Sequence, residues 1–175
     1  MMKQLLAIIL ATGLSVASLA ADTDEGPELK VDLATVVSTG MVVPVDGMTS
    51  AGQPDEAALG VFAEQGYTTV IDLRTAGEDR GIDEAAVVES LGMDYITLPI
   101  GRKDINFDKA RSLDILIAEA DGPVLVHCGS GNRVGALLAL SKSLDGADNE
   151  TALEYGRKGG MTRLEGTVKE ALTEE

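Results

Sequence analysis

The sequence predicts an α/β fold: a single domain with a mainly parallel central sheet flanked by helices. Two observations predict it. After about residue 38, short β-branched and apolar runs alternate with helix-type segments through short connections, the pattern of a parallel sheet covered by helices. One of those runs, "VLVH" at Val124–His127, carries apolar residues on both faces, as an interior strand must.

The elements follow in chain order. "MMKQLLAIILATGLSVASLA" sets Lys3 before an apolar run and ends on small residues at Ser18 and Ala20, the grammar of a secretory signal cleaved near Ala20. Gly13, Ser15 and Ser18 interrupt the apolar span, which is too short for a membrane anchor. The expected organisation is therefore a signal peptide at 1–20, an acidic flexible lead-in at 21–38 and one domain at 39–175, with a periplasmic or secreted location. A mature chain of about 155 residues can bury a sizeable core.

"MVVPV" (Met41–Val45) reads as an early strand bounded by Gly40 and Asp46-Gly47. Pro54, the acids after it and a stop at Gly66 mark the first helix, with Gln53 a candidate cap. "TTVIDL" (Thr68–Leu73) reads as a buried strand, "IDEAAVVESLG" as a helix ending at Gly92, and "DYITLP" as a strand closed by Pro99. Asn106 is placed to cap a helix whose broad apolar face holds Leu113, Ile115, Leu116 and Ile117. "RVGALLALSKSL" is apolar all round for two turns and so reads as a central buried helix. Helices at Thr151–Arg157 and Leu164–Leu172 close the domain, with Thr162 a candidate cap for the last. Tyr95 and Tyr155 fall in apolar patterns and read as core, and Arg74 reads as a loop-fixing ion pair with Glu78 and Asp79.

Composition excludes several functions. A net charge of −15 repels nucleic acid and anionic lipid, so no such partner is expected, nor a membrane once the signal is cleaved. Aromatic residues are 3% of the chain, too few for stacking platforms. One histidine and one cysteine cannot supply a zinc site, and no metal or cofactor is expected. A lone cysteine forms no internal disulfide, so a free thiol is kept in an exported protein for some other purpose.

That cysteine lies in "VLVHCGSGNRVGALLAL". A strand ends at Cys128, a glycine-containing turn follows, and a buried helix starts at Arg133. Such a loop gathers backbone N–H groups, a helix N-terminus and a guanidinium fork around an anion, and the same groups favour a nucleophilic thiolate. A buried cysteine ahead of an ordinary turn is the alternative, with Arg133 simply solvated.

The loop "HCGSGNRVG" resembles that of the cysteine-based tyrosine and dual-specificity phosphatases. "SAGQPDEAALGVFAEQGYTTVIDLRTAGED", "YITLPI" and "GPVLVHCGSGNRVGALLAL" more closely resemble the phosphatase-like domain of the bacterial beta-lactamase hydrolase-like family, over about residues 40 to 165. The resemblance implies a dual-specificity-phosphatase-like fold and hydrolysis of a phosphomonoester or phosphoprotein through a phosphocysteine. It implies Cys128 as nucleophile, Arg133 as phosphate clamp, and Gly129, Ser130, Gly131 and Asn132 as the amide cradle. His127 would tune the thiolate by a hydrogen bond from beneath. The acid would be Asp104, in the loop that carries it in those phosphatases, with Asp108 the second choice. Arg102 and Lys103 would form a basic rim.

Two departures leave other readings open. Four residues separate Cys128 from Arg133 where phosphatases have five, and Val134 stands where they usually have a serine or threonine. Four is the spacing of rhodanese-type sulfurtransferases, which would carry a persulfide on Cys128. A loop that binds anions without turnover is the third reading. Substrate identity and oligomeric state are not written in the sequence.

Overall fold

The computed structural model describes residues 42–45 and 48–174, so the expected signal segment and the lead-in lie outside the described residues. Strands β1 (Val42–Val45), β2 (Met48–Ala51), β3 (Thr69–Asp72), β4 (Asp94–Thr97) and β5 (Val124–His127) form one sheet in the order β1-β2-β5-β3-β4. β2, β5, β3 and β4 run parallel, and β1 pairs antiparallel with β2 at one edge. β5 is the central strand, as its two apolar faces require.

The sequence reading missed β2. Its four residues, "MTSA", are all buried despite two hydroxyls, because each hydroxyl finds a partner inside. Thr49 Oγ1 lies 2.5 Å from the Tyr67 hydroxyl, and Ser50 Oγ donates to the Gly159 carbonyl at 2.6 Å. Burial satisfied by specific distant partners leaves no hydropathy signal.

Helices α1 (Glu56–Glu64) and α2 (Glu84–Ser90) cover one face of the sheet, packing Leu59, Phe62 and Val88 against Val70 and Leu125. On the other face, α3 (Phe107–Ala118), α4 (Asn132–Leu144), α5 (Asn149–Lys158) and α6 (Glu165–Thr173) enclose a larger core with Ile71, Val124 and Val126. α4 lies at its centre, with Val134 through Leu140 all buried. α5 crosses it at Gly135, where a Cβ would come 2.5 Å from the Gly156 carbonyl oxygen and closer still to the Met161 nitrogen, so only glycine permits this approach.

Asn106 caps α3, accepting from the Lys109 amide at 2.9 Å, as the sequence implied. Two other caps differ from expectation. Asp55, not Gln53, caps α1 through the Ala58 amide, while Gln53 donates to the Arg80 carbonyl. Thr162 does not cap α6, which starts after Leu164 without a side-chain cap. The apolar face of α3 is narrower than expected: Ile115 is 55% exposed, since a helix on a surface layer buries only one stripe.

The register fixes where a ligand can bind. Ala51 and Asp72 both stand opposite His127, so β2, β5 and β3 end level. Their C-terminal edge opens toward the start of α4, the position at which parallel sheets take ligands.

Candidate active site

Alternation along β5 separates the two residues that the sequence sets side by side. Val124, Val126 and Cys128 face the α3–α6 core and Leu125 faces the α1–α2 core, so His127 points away from Cys128. Cys128 is 1% exposed, and its amide donates to the Ala51 carbonyl at 3.3 Å. Ser130 pairs with Gly52, holding the loop against the end of β2. Gly131 then takes φ 77°, a left-handed conformation that suits glycine, and α4 begins with no side-chain cap on its first-turn amides. Gly129 shows no such backbone demand; a Cβ there would meet Arg133 Nη2 at 3.6 Å, ordinary contact.

Arg133 rises from the first turn of α4 and is held as a fork. Its Nη1 and Nη2 donate to the two carboxylate oxygens of Glu78 at 2.6 and 2.5 Å, and Nη1 also donates to the Ile100 carbonyl at 3.0 Å. The Glu78 bonds, and then the attraction of Cys128, raise the arginine's pKa. Glu78 is correspondingly held at about 2, chiefly by Arg133, so it is ionised at neutral pH.

A cavity of about 400 Å³ opens above this pair, lined by Thr75, Glu78, Gly101, Arg102, Ser130, Asn132, Arg133, Arg163 and Leu164. Cys128 is buried and is not among the residues lining the cavity. The structure does not bring Asp104 to it. Asp104 closes a 3-10 turn at Arg102–Asp104, and its Oδ2 accepts from the Gly101 amide at 2.7 Å. Its carboxylate is spent on the local turn, a use that a three-residue turn makes geometrically natural. Asp108 pairs with Arg111 on the exposed side of α3. Of the expected basic rim, Arg102 lines the cavity, whereas Lys103 turns to a second hollow beside α6.

Asn132, expected as part of the cradle, uses its buried side chain elsewhere. Its Oδ1 accepts from the Thr162 amide at 2.7 Å, the Thr162 hydroxyl at 3.2 Å and the Leu164 amide at 3.4 Å, tying the α5–α6 loop to the start of α4. Val134 is fully buried in the core.

On the opposite face, His127 enters a buried charge cluster. Its Nε2 stands 2.7 Å from Glu84 Oε1, yet neither ring nitrogen makes an aligned hydrogen bond among the described residues. The expected hydrogen bond to the thiolate is therefore absent, because strand alternation sends the ring to the far side of the sheet. Arg74 is fully buried here, with Nε on Asp72 Oδ1 at 2.9 Å, Nη2 on Asp72 Oδ2 at 3.0 Å, and Nη2 paired with Glu84 as well. This corrects the expected pairing with Glu78 and Asp79. Burial pushes Asp72 up, but Arg74, His127 and Tyr95 outweigh it and bring it down to about 2. Tyr95 packs half-buried against the α1–α2 core, as the sequence implied, and its hydroxyl donates to Asp72 at 2.8 Å; burial with that bond raises it to about 12. Tyr155, half-buried, lies under the Lys142 ammonium. Asp72, Glu84 and His127 place three ligand-type atoms within 4.8 Å of one another, but both carboxylates are already paired with Arg74, and Asp72 with Arg80 as well.

Thr75, Glu78 and Arg163 were missed as site residues. Thr75 and Glu78 follow the C-terminal end of β3, and that position at a parallel-sheet edge is the signal that could have found them. Arg163 carries no such signal, since its place depends on how α5 folds back across α4.

A central parallel strand that ends at a buried cysteine, followed by a glycine-containing turn and a buried helix with an arginine in its first turn, gives the architecture of dual-specificity-phosphatase-like α/β domains. Residues 41–145 match the model of the beta-lactamase hydrolase-like protein, phosphatase-like domain, and the chain belongs to that family. A beta-lactamase hydrolase-like protein of Agrobacterium fabrum is 33% identical over 119 residues, 65% of this chain and 28% of that protein. One from Xylella fastidiosa is 37% identical over 100 residues, 55% of this chain and 23% of that protein. The chain thus spans about a quarter of the length of these curated relatives. Among solved structures, the core catalytic domain of the PP-IP phosphatase SIW14 from S. cerevisiae, in complex with citrate, shares the fold at TM-score 0.57 and 16% identity, covering 77% of this chain and 87% of that one. A cysteine-to-serine variant of P. aeruginosa TpbA in complex with pTyr does so at TM-score 0.52 and 18% identity, over 78% and 96%.

Proposed function

We propose that this domain is a cysteine-dependent phosphatase acting on a small phosphorylated molecule or a phosphoprotein through a phosphocysteine at Cys128. The observation that carries the reading is Arg133, held as a fork by Glu78 in the uncapped first turn of α4 that follows Cys128, on the wall of an open cavity. A phosphoryl group seated there would have its oxygens on Arg133 and the first-turn amides, with phosphorus above the sulfur. The thiolate attacks phosphorus, the S–P bond forms and the ester P–O bond breaks with its electron pair on the leaving oxygen. Water then displaces the sulfur, restoring the thiolate and releasing phosphate.

A second reading has its own support. Among the described residues Glu78 is the one carboxylate lining the cavity, and it is ionised; Asp104 is turned to Gly101, and Val134 offers no hydroxyl. Sulfur transfer needs none of those groups, and the four-residue loop has the rhodanese spacing. One experiment separates the readings: the protein is incubated with an aryl phosphate or with thiosulfate, quenched in acid, and its intact mass read. A phosphocysteine adds about 80 mass units and a persulfide about 32. The phosphate adduct is the expected result; a persulfide alone would make the domain a sulfurtransferase, and neither adduct would make it an anion-binding module.

Export to the periplasm or beyond is proposed with the function, on the strength of the first twenty residues. Intact-mass analysis of periplasmic protein is expected to show a chain starting at Ala21 or Asp22. A full-length cytosolic species would overturn it.

A further inference from the structure

The cavity carries more positive charge than one phosphate needs. Glu78 already neutralises Arg133, whereas Arg102 and Arg163 line the same cavity with no ion pair among the described residues. On a chain of net charge −15, with acids available on every side, two unpaired guanidiniums beside the nucleophile are a local reversal of sign.

Both arginines also stand on turns that are fixed from within. The buried Asn132 accepts from the Thr162 and Leu164 amides, the residues on either side of Arg163. Asp104 accepts from the Gly101 amide, the residue before Arg102. Two polar side chains, Asn132 and Asp104, are thus spent on holding the backbone beneath two exposed cations. A merely solvated arginine needs no such support, and pre-organised donors lose less on binding. Asn132 and Asp104 are in this sense positioning residues.

The leaving-group side of the cavity therefore offers cations in place of a proton donor. An alkoxide or phenoxide released there would need a proton, which no lining carboxyl holds. A departing phosphate would need only charge stabilisation, which Arg102 and Arg163 supply. Among the described residues no aromatic side chain lines the cavity to receive a phenol ring.

We infer that the preferred substrate is a small phosphoanhydride, its transferred phosphoryl group on Arg133 and its leaving phosphate on Arg102 and Arg163. This rests on the phosphatase reading above and narrows it. Cys128 sulfur bonds to the terminal phosphorus, the bridging P–O bond breaks, and its electron pair leaves on the second phosphate. Water then attacks the phosphocysteine, the S–P bond breaks, and the balance is one anhydride and one water to two phosphates.

The test uses the full chain with two probes, inorganic phosphate and the non-hydrolysable methylenebisphosphonate, their affinities measured by calorimetry. Wild type is expected to bind the bisphosphonate at least about tenfold more tightly, a difference of about 1.4 kcal/mol. An Arg102→Ala, Arg163→Ala double variant should lose that preference, weakening the bisphosphonate at least about tenfold more than phosphate, because charge-assisted bonds to the second phosphate are removed. Arg133→Ala should weaken both probes. In turnover, inorganic pyrophosphate should be cleaved at least about tenfold faster than glycerol phosphate, and the double variant should remove that margin. Phosphate bound with no preference for the bisphosphonate would overturn the anhydride inference and leave the phosphatase reading standing. Binding of neither probe would overturn both.

Discussion

Cys128→Ser is expected to lower phosphate release by about 10⁴-fold or more while leaving phosphate affinity within about twofold. The substitution changes one atom. Sulfur and oxygen fit the same space, but a serine hydroxyl gives up its proton far less readily than a thiol and attacks phosphorus poorly without a base. No base stands ready, since Glu78 is fully engaged with Arg133 and His127 lies across the sheet. The cradle itself would persist, because the left-handed Gly131 and the start of α4 do not depend on the sulfur. Single-turnover phosphate release and calorimetry on the same two proteins check both halves. A loss smaller than tenfold would move the nucleophile away from Cys128.

Arg74→Met is expected to destabilise the domain by about 3 to 5 kcal/mol, read from urea unfolding. Methionine matches the stem of arginine but leaves Asp72 and Glu84 buried together without their shared cation. Arg80 still faces Asp72 at 3.2 Å, so the larger penalty falls on Glu84, and adding Glu84→Gln should recover part of the loss. The wild-type pH profile carries the same signature. Asp72 is depressed from 3.8 to about 2, so its contribution, about 2 kcal/mol, is present above pH 4 and lost as the pH falls toward 2. Arg74→Met should flatten that acid limb. A destabilisation below about 1 kcal/mol would mean that the cluster relaxes or hydrates more freely than its burial implies.

Arg74 also marks the limit of what local sequence conveys. In "RTAGED" the nearest acids are Glu78 and Asp79, and a reading by proximity pairs them with Arg74. The sheet intervenes: β3 ends beside β5, which sends Arg74 inward to Asp72 and to Glu84 on α2. Glu78 is thereby released to meet Arg133, 55 positions away. Strand β5, helix α4 and the Asn106 cap were legible because each is stated by its own residues, through apolar periodicity or a capping side chain. β2 was not, since its hydroxyls are satisfied by Tyr67 and Gly159. Asp104 lies in a loop that borders the cavity, but a carboxylate's direction depends on which amide it meets, and there it accepts from Gly101.

Asn132 has one more consequence. The segment that matches the family model stops at residue 145, one residue beyond α4, whereas the side chain of Asn132 is satisfied only by Thr162 and Leu164. A chain truncated at that boundary would strip α5 and α6 from a helix that is buried all round, and would leave the oxygen of Asn132 to water. Such a fragment should be insoluble or molten. The smallest portion that could be grafted into another polypeptide as a working module must therefore run to Thr173, about 30 residues past the end of the segment that matches the family model.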